Sequence, residues 1–348
     1  MRLLVLGANG FIGSSLVRAV LDRTSWRIAA IDLAHDKLAG MIDDPRLEFE
    51  RGDIAERRAW VEAQVREADV VVPLVAIATP GTYVRDPLRV FELTFAENLH
   101  VIRVCAEVGT RVVFPSSSEV YGMCPDDAFV EDRSRLVLGP ISKQRWIYAA
   151  SKQLLERVIW AHGSAGRLRF TVFRPFNWIG PAIDDPPSKN GGSRVIAEFL
   201  GCLVRGESIR LVGGGQQKRC FTYIDDGIDC LLKILENHHG RAESQIFNVG
   251  NPANECSMAE LALALRRLFA THAGRLGGRP GSEIVEVSGE EFYGPGYEDV
   301  PRRLPSIARA RTALGWEPRV GLDEALQRTV VGYLENMRRR GSPLVAAV

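Results

Sequence analysis

A tyrosine and a lysine four residues apart, Tyr148 and Lys152, open a segment with helical periodicity. The i, i+4 spacing places the phenol and the ammonium on the same face of a helix. A lysine cation beside a phenol lowers the pKa of the phenol and lets it act as a base toward a hydroxyl group. The pair therefore predicts proton transfer at an alcohol. Because Tyr-x-x-x-Lys also occurs by chance, a second motif must support it.

A serine-rich segment, PSSSEVYG (115–122), precedes this pair and follows an apolar run. Ser118 is placed to hydrogen-bond a reacting oxygen, and Glu119 to supply a carboxylate near the carbon that is altered. Serine followed by glutamate is also typical of a helix N-cap. Val120 and Tyr121 continue the composition of a strand, so we favour the catalytic interpretation over the cap.

The third motif is a glycine-rich turn, GANGFIG (7–13), between the apolar run 2–6 and an amphipathic segment. Glycines permit a tight turn and a close approach of the backbone to a pyrophosphate at the N-terminus of the following helix. Asp32 ends the next apolar run, where a carboxylate can bind both hydroxyls of an adenosine ribose and repel a 2′-phosphate. The turn and Asp32 together predict bound NAD rather than NADP. A solvated strand end would explain Asp32 but not the glycines.

Short apolar runs alternate with helical patterns before residue 178. The runs are 2–6, 27–31, 47–53, 69–76, 111–118 and 169–177, and the helical patterns are 56–67, 87–108 and 146–163. Because the runs are continuously apolar, they predict a parallel sheet covered by helices on both faces. The predicted fold class is α/β, a doubly wound, Rossmann-like parallel sheet with a smaller C-terminal α/β substrate domain.

The composition changes after residue 178, where 180–192 is rich in Pro, Gly and Asp. A helical pattern at 225–237 and an apolar run at 246–250 then repeat the alternation of helices and strands predicted for the first half. We therefore predict that the chain crosses back once and that the ligand cleft lies between two domains. The predicted boundaries are 1–178 for the NAD-binding domain, with 221–250 returning to it, and 179–220 and 251–335 for the substrate-binding domain.

Composition argues against several classes of protein. The 348 residues are 46% hydrophobic and 25% charged, and the net charge of +1 provides no global field for nucleic acid or an anionic membrane. The sequence predicts neither a signal peptide nor a membrane span. The six cysteines form no C-x-x-C pair and His238-His239 have no third ligand. We expect reduced, mostly buried thiols, no metal site and a cytoplasmic location.

Five segments together resemble the extended short-chain dehydrogenases/reductases that act on nucleotide sugars. They are GANGFIG (7–13), the Gly-Asp at 52–53, SSSEVYG (116–122), YAASK (148–152) and RPFNWIGP (174–181). The resemblance runs from residue 2 to about residue 335. PLVAIATP (73–80), KQRW (143–146) and QKRCFT (217–222) further resemble the UDP-glucuronate decarboxylase domain of the bifunctional aminoarabinose (polymyxin resistance) enzymes. UDP-apiose/UDP-xylose synthases are also similar, but they typically carry Cys where this chain has Ser118.

The resemblance implies roles for individual residues. It assigns NAD binding to Gly7, Asn9, Gly10, Phe11, Ile12, Gly13, Asp32, Asp53, Ile54, Leu74, Ala76, Thr79, Asn98, Tyr148 and Lys152. It assigns substrate binding to Tyr83, Ser117, Ser118, Arg145, Asn177, Arg194, Arg210, Gln217, Arg219 and Tyr297. It assigns catalysis to Ser118, Glu119, Tyr148, Lys152 and Arg303. A single arginine is more often a solvated surface charge, so Arg219 and Arg303 depend on the match of their whole segments.

The implied activity is NAD-dependent oxidative decarboxylation of UDP-glucuronate to UDP-4-keto-pentose, with carbon dioxide and NADH as the other products. A UDP-xylose synthase that retains NAD, a UDP-sugar 4-epimerase, a 4,6-dehydratase and a non-catalytic NAD-sensing regulator remain alternatives. Related enzymes pair through two helices of each subunit, which here correspond to about 87–108 and 146–163. A homodimer is therefore expected, although the apolar faces of these helices could equally belong to the core.

Overall fold

The computed structural model describes residues 1–181, 183–184, 193–273 and 283–339. The apolar runs of the sequence form most of its longer strands. In chain order the strands are β1 (Arg2–Leu6), β2 (Arg27–Asp32), β3 (Leu47–Arg51), β4 (Val70–Pro73), β5 (Arg111–Pro115), β6 (Phe170–Pro175), β7 (Trp178–Ile179), β8 (Ile209–Val212), β9 (Lys218–Cys220), β10 (Thr222–Tyr223), β11 (Gln245–Val249), β12 (Glu255–Ser257), β13 (Ile284–Val287) and β14 (Arg302–Arg303).

Helices follow most of the strands of the large sheet. In chain order they are α1 (Phe11–Arg23), α2 (Arg58–Glu67), α3 (Pro80–Arg85), α4 (Pro87–Phe91), α5 (Glu97–Val108), α6 (Ile147–Ser164), α7 (Val195–Arg205), α8 (Ile224–Glu236), α9 (Met258–Ala273), α10 (Gly289–Tyr293), α11 (Ala308–Leu314) and α12 (Leu322–Arg339). A π-helical turn, Glu92–Ala96, joins α4 to α5. The segment predicted as one helix over 87–108 is therefore helical throughout but widens for one turn.

Seven parallel strands form the central sheet, in the order β11-β6-β5-β4-β1-β2-β3. The order reverses between β1 and β4, and doubly wound sheets bind ligands at the carboxyl ends of the strands at such a switch point. The predicted doubly wound α/β fold is thereby confirmed. β11 pairs with β6 at the sheet edge, so the chain returns to the large sheet after α8.

Both faces of the central sheet are buried. On one face Leu4, Leu6 and Val71 belong to a hydrophobic cluster that includes residues of α2, α5 and α6. On the other face Leu3 and Val5 belong to a larger cluster that continues through α1 and α8 into α7, α9 and α12. Burial on both faces explains why the strands read as continuous apolar runs. The sheet and the C-terminal helices share one core, which holds the two walls of the cleft together.

Two central strands end earlier than the sequence predicts, and both end at a proline. β4 ends at Pro73 rather than at 76, and β5 ends at Pro115 rather than at 118. Proline has no backbone N–H to extend a strand ladder. The residues that follow leave the sheet and line a cleft. The predicted loop at 180–192 lies largely outside the described residues, as does 274–282.

A three-stranded sheet, β12-β9-β14, brings together two arginines that are distant in sequence. β14 is parallel to β9, with Arg303 opposite Arg219. Both side chains are buried, at 3% and 8% exposure. Side chains of neighbouring strands at the same register share a face of the sheet. Two guanidinium groups from separate segments of the C-terminal part of the chain therefore lie side by side.

A capping box begins α9, whose first residue, Met258, lines the cleft. Ser257 Oγ accepts the backbone N–H of Glu260 (3.1 Å), and Glu260 Oε2 accepts the backbone N–H of Ser257 (2.8 Å). We expect Ser257→Ala to lower the free energy of unfolding by about 1 kcal/mol, as measured by urea denaturation. Thr271→Ala, near the other end of α9, is the control. Equal losses in both variants would contradict the capping role.

Cysteine and histidine are the side chains most suited to a structural metal site. All six cysteines are buried and free, as the sequence predicts. His238 and His239 are exposed in a short 3₁₀ turn. Within the described ranges no three His, Cys, Asp or Glu side chains are grouped to hold a metal ion. No helix of the described residues is long and apolar enough to cross a membrane.

Candidate active site

A cleft of about 560 Å³ lies at the carboxyl ends of β1, β4 and β5. The turns after these strands and the start of α6 form one wall, and α7, β8, β9 and α10 contribute to the other. Among the described lining residues seven side chains are basic and four are acidic, although the whole chain has a net charge of only +1. Positive charge is therefore concentrated in the cleft, which favours an anionic ligand.

The backbone of the glycine-rich turn between β1 and α1 is tightly packed at its glycine positions. Gly7 has a φ of +88°, which favours glycine. A Cβ on Gly13 would lie 2.3 Å from the carbonyl oxygen of Gly7. Gly10 caps α1, and no side chain caps the N-terminus of this helix. The first backbone N–H groups of α1 are thus left for a pyrophosphate, and the turn fits the dinucleotide predicted from the sequence.

The carboxylate of Asp32 is hydrogen-bonded to the backbone of this turn. One carboxylate oxygen accepts the N–H of Asn9 (2.8 Å) and the other accepts the N–H of Leu33 (2.7 Å). Burial raises the pKa of Asp32, and these hydrogen bonds oppose the rise. The Asn9 side chain accepts the N–H of Lys37 (2.8 Å), and Lys37 lines the cleft. Asp32 therefore shapes the turn, and its binding to a ribose stays a prediction.

Most residues assigned to NAD binding line the cleft. They are Gly7, Gly10, Phe11, Ile12, Gly13, Leu74, Ala76, Thr79, Tyr148 and Lys152. Asn9, Asp32, Asp53, Ile54 and Asn98 are not part of the lining. Asp53 accepts the N–H of Ala55 (2.9 Å), and Ile54 is buried in the core.

Asn98 supports the cofactor loop from within the helical layer. Its amide donates to the carbonyl oxygens of Val75 (2.9 Å), Leu93 (3.2 Å) and Thr94 (3.0 Å). Leu93 and Thr94 lie in the π-helical turn, where the widened helix changes the pairing of backbone carbonyls. Val75 lies in the loop after β4, beside lining residues Leu74 and Ala76. We therefore expect Asn98 to act on that loop rather than through direct contact with NAD.

The serine-rich segment forms a short 3₁₀ helix, Ser118–Tyr121, and Ser117 is its N-cap. Ser117 Oγ accepts the backbone N–H of Glu119 (3.2 Å). The rejection of a cap at this segment was therefore wrong. The strand composition of Val120 reflects its complete burial in a small cluster rather than a continued strand. The cap turns Ser117, Ser118 and Glu119 into the cleft together.

Tyr148 and Lys152 share one face of α6, as the spacing predicts, but their electrostatics differ from the expectation. Lys152 Nζ donates to the carbonyl oxygen of Pro115 (2.7 Å) and lies 6.0 Å from the centre of the Tyr148 ring. Burial lowers the pKa of Lys152 to about 7. Burial, followed by the charge of Glu119, raises the pKa of Tyr148, while a hydrogen bond with the Ser117 side chain lowers it. The expected lowering by Lys152 is wrong for this arrangement, because desolvation dominates.

Tyr83 fixes the plane of the reactive phenol. The two rings stack with their centroids 4.8 Å apart and their planes 4° apart. Val90 of α4 packs in the same buried cluster. The hydroxyl partner of Tyr148 is Ser117, whereas Ser118 lines the cleft beside it. The geometry therefore favours Ser117 for holding an oxygen that reacts with Tyr148.

Lys152 makes the stability of the fold depend on pH. Its pKa is about 7 in the folded protein and near its ordinary 10.5 when unfolded, so between these values the folded state binds fewer protons. Stability contributed through Lys152 therefore rises with pH. We expect the free energy of unfolding of the wild type, relative to Lys152→Met, to rise between about pH 7 and pH 9, approaching about 1.4 kcal/mol per unit. A difference that does not change with pH would contradict this.

Glu119 is held between two buried arginines. Arg145 donates to Glu119 Oε2 (2.8 Å) and Arg303 to Glu119 Oε1 (2.5 Å). Burial alone would raise the pKa of Glu119, but Arg145 and Arg303 outweigh it and bring the pKa to about 2. Arg219 pairs with Asp299 (2.7 Å) beside them. Arg145 Nε and Nη1 are buried and have no hydrogen-bond partner among the described residues.

The remaining residues assigned to substrate binding also line the cleft. They are Asn177, Arg194, Arg210, Gln217 and Tyr297. Arg194 pairs with Asp184 (2.8 Å) and lies 5.0 Å from the centre of the Phe11 ring, next to the glycine-rich turn. Arg210 lies 4.7 Å from the centre of the Phe292 ring. This end of the cleft thus combines guanidinium groups with flat aromatic surfaces.

Several lining residues were missed by sequence reasoning. Lys37, Asp184, Glu198, Asp299 and Phe292 belong to this group. Asp299 precedes Arg303 by four residues, and a search for a carboxylate near each assigned arginine would have found it. Glu198 lies in a strongly apolar helix, where an isolated charge was a usable signal.

Comparison with known proteins gives a family and several similar structures. The NAD dependent epimerase/dehydratase family matches residues 3–250. The PbgP3 protein from Burkholderia pseudomallei is similar over 99% of this chain and 99% of that chain, with 45% sequence identity and a TM-score of 0.88. UDP-glucuronic acid 4-epimerase from Bacillus cereus, in complex with UDP-glucuronic acid and NAD, is 22% identical over 97% of this chain and 100% of that chain, with a TM-score of 0.79.

A third similar structure is dTDP-glucose 4,6-dehydratase from Bacillus anthracis, in complex with NAD. It is 20% identical over 97% of this chain and 98% of that chain, with a TM-score of 0.76. At such low identity the epimerase and the dehydratase are similar in fold alone. One fold thus accommodates different reactions, and the chemistry must be argued from the side chains in the cleft.

Proposed function

The chain belongs to the NAD dependent epimerase/dehydratase family, and from this premise we propose that it oxidises UDP-glucuronate at C4 and removes its carboxylate. The products are UDP-4-keto-pentose (UDP-pentopyranos-4-ulose), carbon dioxide and NADH. The observation that carries the proposal is the buried cluster of Glu119, Arg145 and Arg303 in the cleft that contains Tyr148. A group suited to proton transfer thus shares the cleft with groups suited to a carboxylate.

The charge of the cluster favours a substrate with one carboxylate. Three buried arginines, Arg145, Arg219 and Arg303, meet two carboxylates, Glu119 and Asp299. One positive charge remains, which a substrate carboxylate would neutralise. The free donors of Arg145 suit such a group, because a guanidinium binds carboxylate oxygens with a fork of N–H groups. A neutral sugar would leave these donors buried without partners, which is unfavourable.

The proton transfers follow from the groups in the cleft. The ionised form of Tyr148 accepts the proton of the sugar 4-hydroxyl, and because burial raises the pKa of the phenol, this form increases with pH. The Ser117 hydroxyl, the hydrogen-bond partner of Tyr148, holds the oxygen. The glycine-rich turn (7–13) would hold NAD, which would supply the hydride acceptor for C4. The 4-keto sugar is a β-keto acid, so the electron pair of the breaking C–C bond passes to the ketone as carbon dioxide leaves. One proton then adds at C5 and balances the proton taken from the hydroxyl.

Glu119 has a positioning role in this scheme. Because its pKa is about 2, it is ionised at neutral pH and is a poor proton donor to C5. It holds Arg145 and Arg303 at fixed positions through one oxygen each. The arginines then orient the substrate carboxylate, and orientation is a large part of the rate enhancement available here.

Two other outcomes share the first oxidation. If the ketone is reduced before NADH leaves, the product is UDP-xylose and NAD is recycled. If no carboxylate is lost, the enzyme is a UDP-sugar 4-epimerase. The free donors of Arg145 favour a substrate with a carboxylate over a neutral UDP-sugar. A 4-epimerase that acts on UDP-glucuronate would use the same donors, so the sugar product must separate it from a decarboxylase.

The deciding experiment mixes the purified protein with UDP-glucuronate and excess NAD. NADH is followed by absorbance, carbon dioxide is measured and the sugar product is identified by NMR. NADH and 4-keto-pentose in equal amounts support the proposal. UDP-xylose without net NADH supports the recycling enzyme, and UDP-galacturonate supports the epimerase. UDP-glucose, which lacks the carboxylate, is the control, and its turnover in preference to UDP-glucuronate would reject the substrate assignment.

We also propose that the enzyme is a cytoplasmic homodimer. Most apolar residues of α5 and α6 pack in the core, but Leu154 and Trp160 of α6 are 49% and 47% exposed. The proposal rests on the expected pairing of related enzymes through the segments 87–108 and 146–163, and Leu154 and Trp160 are apolar side chains of the second segment that a partner could contact. We expect sedimentation to show a dimer that Trp160→Glu weakens, whereas Leu263→Glu, an equally exposed site on α9, does not. A monomeric wild type would contradict this.

A further inference from the structure

Glu198 is a buried carboxylate of the cleft that has no part in the proposed reaction. It lies on α7, is 5% exposed and lines the cleft. Its Oε2 atom has no hydrogen-bond partner among the described residues. Its Oε1 atom is 3.9 Å from Arg210, beyond hydrogen-bond distance. A buried acceptor without a donor is destabilising, which points to a donor supplied by a ligand.

Contacts along the cleft separate Glu198 from the reactive end. The guanidinium of Arg145 lies 5.7 Å from the centre of the Tyr297 ring. Tyr297 stacks on Tyr293 at 4.1 Å, and Tyr293 lies 4.7 Å from Phe292. The guanidinium of Arg210 lies 4.7 Å from the centre of the Phe292 ring and 3.9 Å from Glu198. Starting from the Glu119 cluster, the order is therefore Arg145, Tyr297, Tyr293 and then Glu198. A nucleotide sugar that presents its sugar to Tyr148 would extend its base toward the other end of this order.

The surroundings of Glu198 suit a flat, polar ring. The guanidinium of Arg210 lies over the Phe292 ring, 4.7 Å from its centre, and both residues line the cleft. Aromatic and guanidinium planes stack readily on nucleobases. Burial raises the pKa of Glu198, whereas Arg205 and Arg210 lower it. The carboxyl group can accept a hydrogen bond through Oε2 in either protonation state.

We propose that Glu198 accepts the imide N3–H of the base and thereby selects uracil or thymine over cytosine. This inference rests on the proposed function, which supplies a nucleotide ligand. An imide presents one N–H between two carbonyl oxygens, and Arg210 is placed to donate to one of these oxygens while Glu198 accepts the N–H. Cytosine presents a lone pair at N3, which an ionised Glu198 would repel.

The test compares the binding of UDP and N3-methyl-UDP by calorimetry. The wild type is expected to bind N3-methyl-UDP at least about ten-fold more weakly, which is the size expected for one hydrogen bond to a charged group. Glu198→Ala should bind the two ligands equally. Glu198→Gln keeps an acceptor oxygen and should still prefer UDP. Glu207→Ala is the matched control, because Glu207 is 43% exposed, pairs with Arg205 and does not line the cleft.

Each result has a distinct meaning. Equal binding of both ligands by the wild type overturns the inference without requiring any variant, and so does a preference for UDP that persists in Glu198→Ala. The wild-type comparison also stands if Glu198→Ala does not fold. Failure of the wild type to bind UDP at all rejects the nucleotide ligand of the proposed function, and this inference with it.

Discussion

Replacing Tyr148 by phenylalanine is expected to lower kcat for UDP-glucuronate oxidation by about 10²- to 10⁴-fold, the usual contribution of a positioned general base. The phenol is 5% exposed, and Ser117 is its hydrogen-bond partner. Removing the hydroxyl leaves the stacked ring against Tyr83. We therefore expect NAD affinity and thermal stability to stay close to those of the wild type. Single-turnover formation of NADH measures the chemical step directly.

The pH profile gives an independent readout for Tyr148. Burial raises the pKa of the phenol, so the base form increases as the pH rises. The rate of oxidation by the wild type should increase in the alkaline direction, and this increase should disappear in Tyr148→Phe. Tyr223→Phe is the control, because Tyr223 is a buried tyrosine outside the cleft. Full activity of Tyr148→Phe would reject Tyr148 as the base and with it the proposed oxidation, the recycling reaction and the epimerase.

Local features of the fold could be predicted from the sequence. The glycine-rich turn, the strands and the helix that carries Tyr148 and Lys152 each depend on neighbouring residues. The turn at 7–13 requires glycine because a Cβ on Gly13 would lie 2.3 Å from the backbone of the same turn. Apolar runs buried on both faces specify a parallel sheet. Glycine spacing, apolar runs and helical periodicity each lie within a short window of sequence, so they can be recognised without knowledge of tertiary contacts.

The electrostatics of Tyr148 and Lys152 could not be predicted in the same way. The i, i+4 spacing correctly places Tyr148 and Lys152 on one helix face, but it does not fix the direction of the ammonium. Lys152 donates to Pro115, a carbonyl made available because β5 ends there. The sign of the pKa shift of Tyr148 is set by burial, which depends on Tyr83 and other distant residues. Desolvation is a property of the assembled fold.

The cluster of Glu119, Arg145 and Arg303 joins residues from three parts of the chain. Glu119 follows β5, Arg145 precedes α6 and Arg303 lies in β14. The family resemblance named all three residues, but only the tertiary structure shows that both arginines bind the same carboxylate. It also places Glu119 between two arginines that lower the pKa of its carboxyl group, which supports the positioning role proposed for it.

Arg303→Met is expected to weaken the binding of UDP-glucuronate by about 10- to 100-fold while leaving the affinity for UDP close to that of the wild type. Arg303 is 3% exposed and is fixed by β9, with Arg219 at the same register. Loss of its charge removes the one positive charge in excess at the cluster. The pKa of Glu119 should rise, because Arg303 lowers it both by its charge and by a hydrogen bond.

The comparison of UDP-glucuronate with UDP separates carboxylate recognition from a general effect on the fold. Arg302→Met is the matched control, since Arg302 is the neighbouring residue of β14, is 43% exposed and pairs with Glu255. Arg303→Lys restores the charge without the fork of N–H donors and should recover only part of the affinity. An equal loss for both ligands in Arg303→Met would mean that Arg303 maintains the structure of the cleft. A selective loss means that the excess charge of the cluster is used to hold the carboxylate, and carbon dioxide release should then fall along with binding.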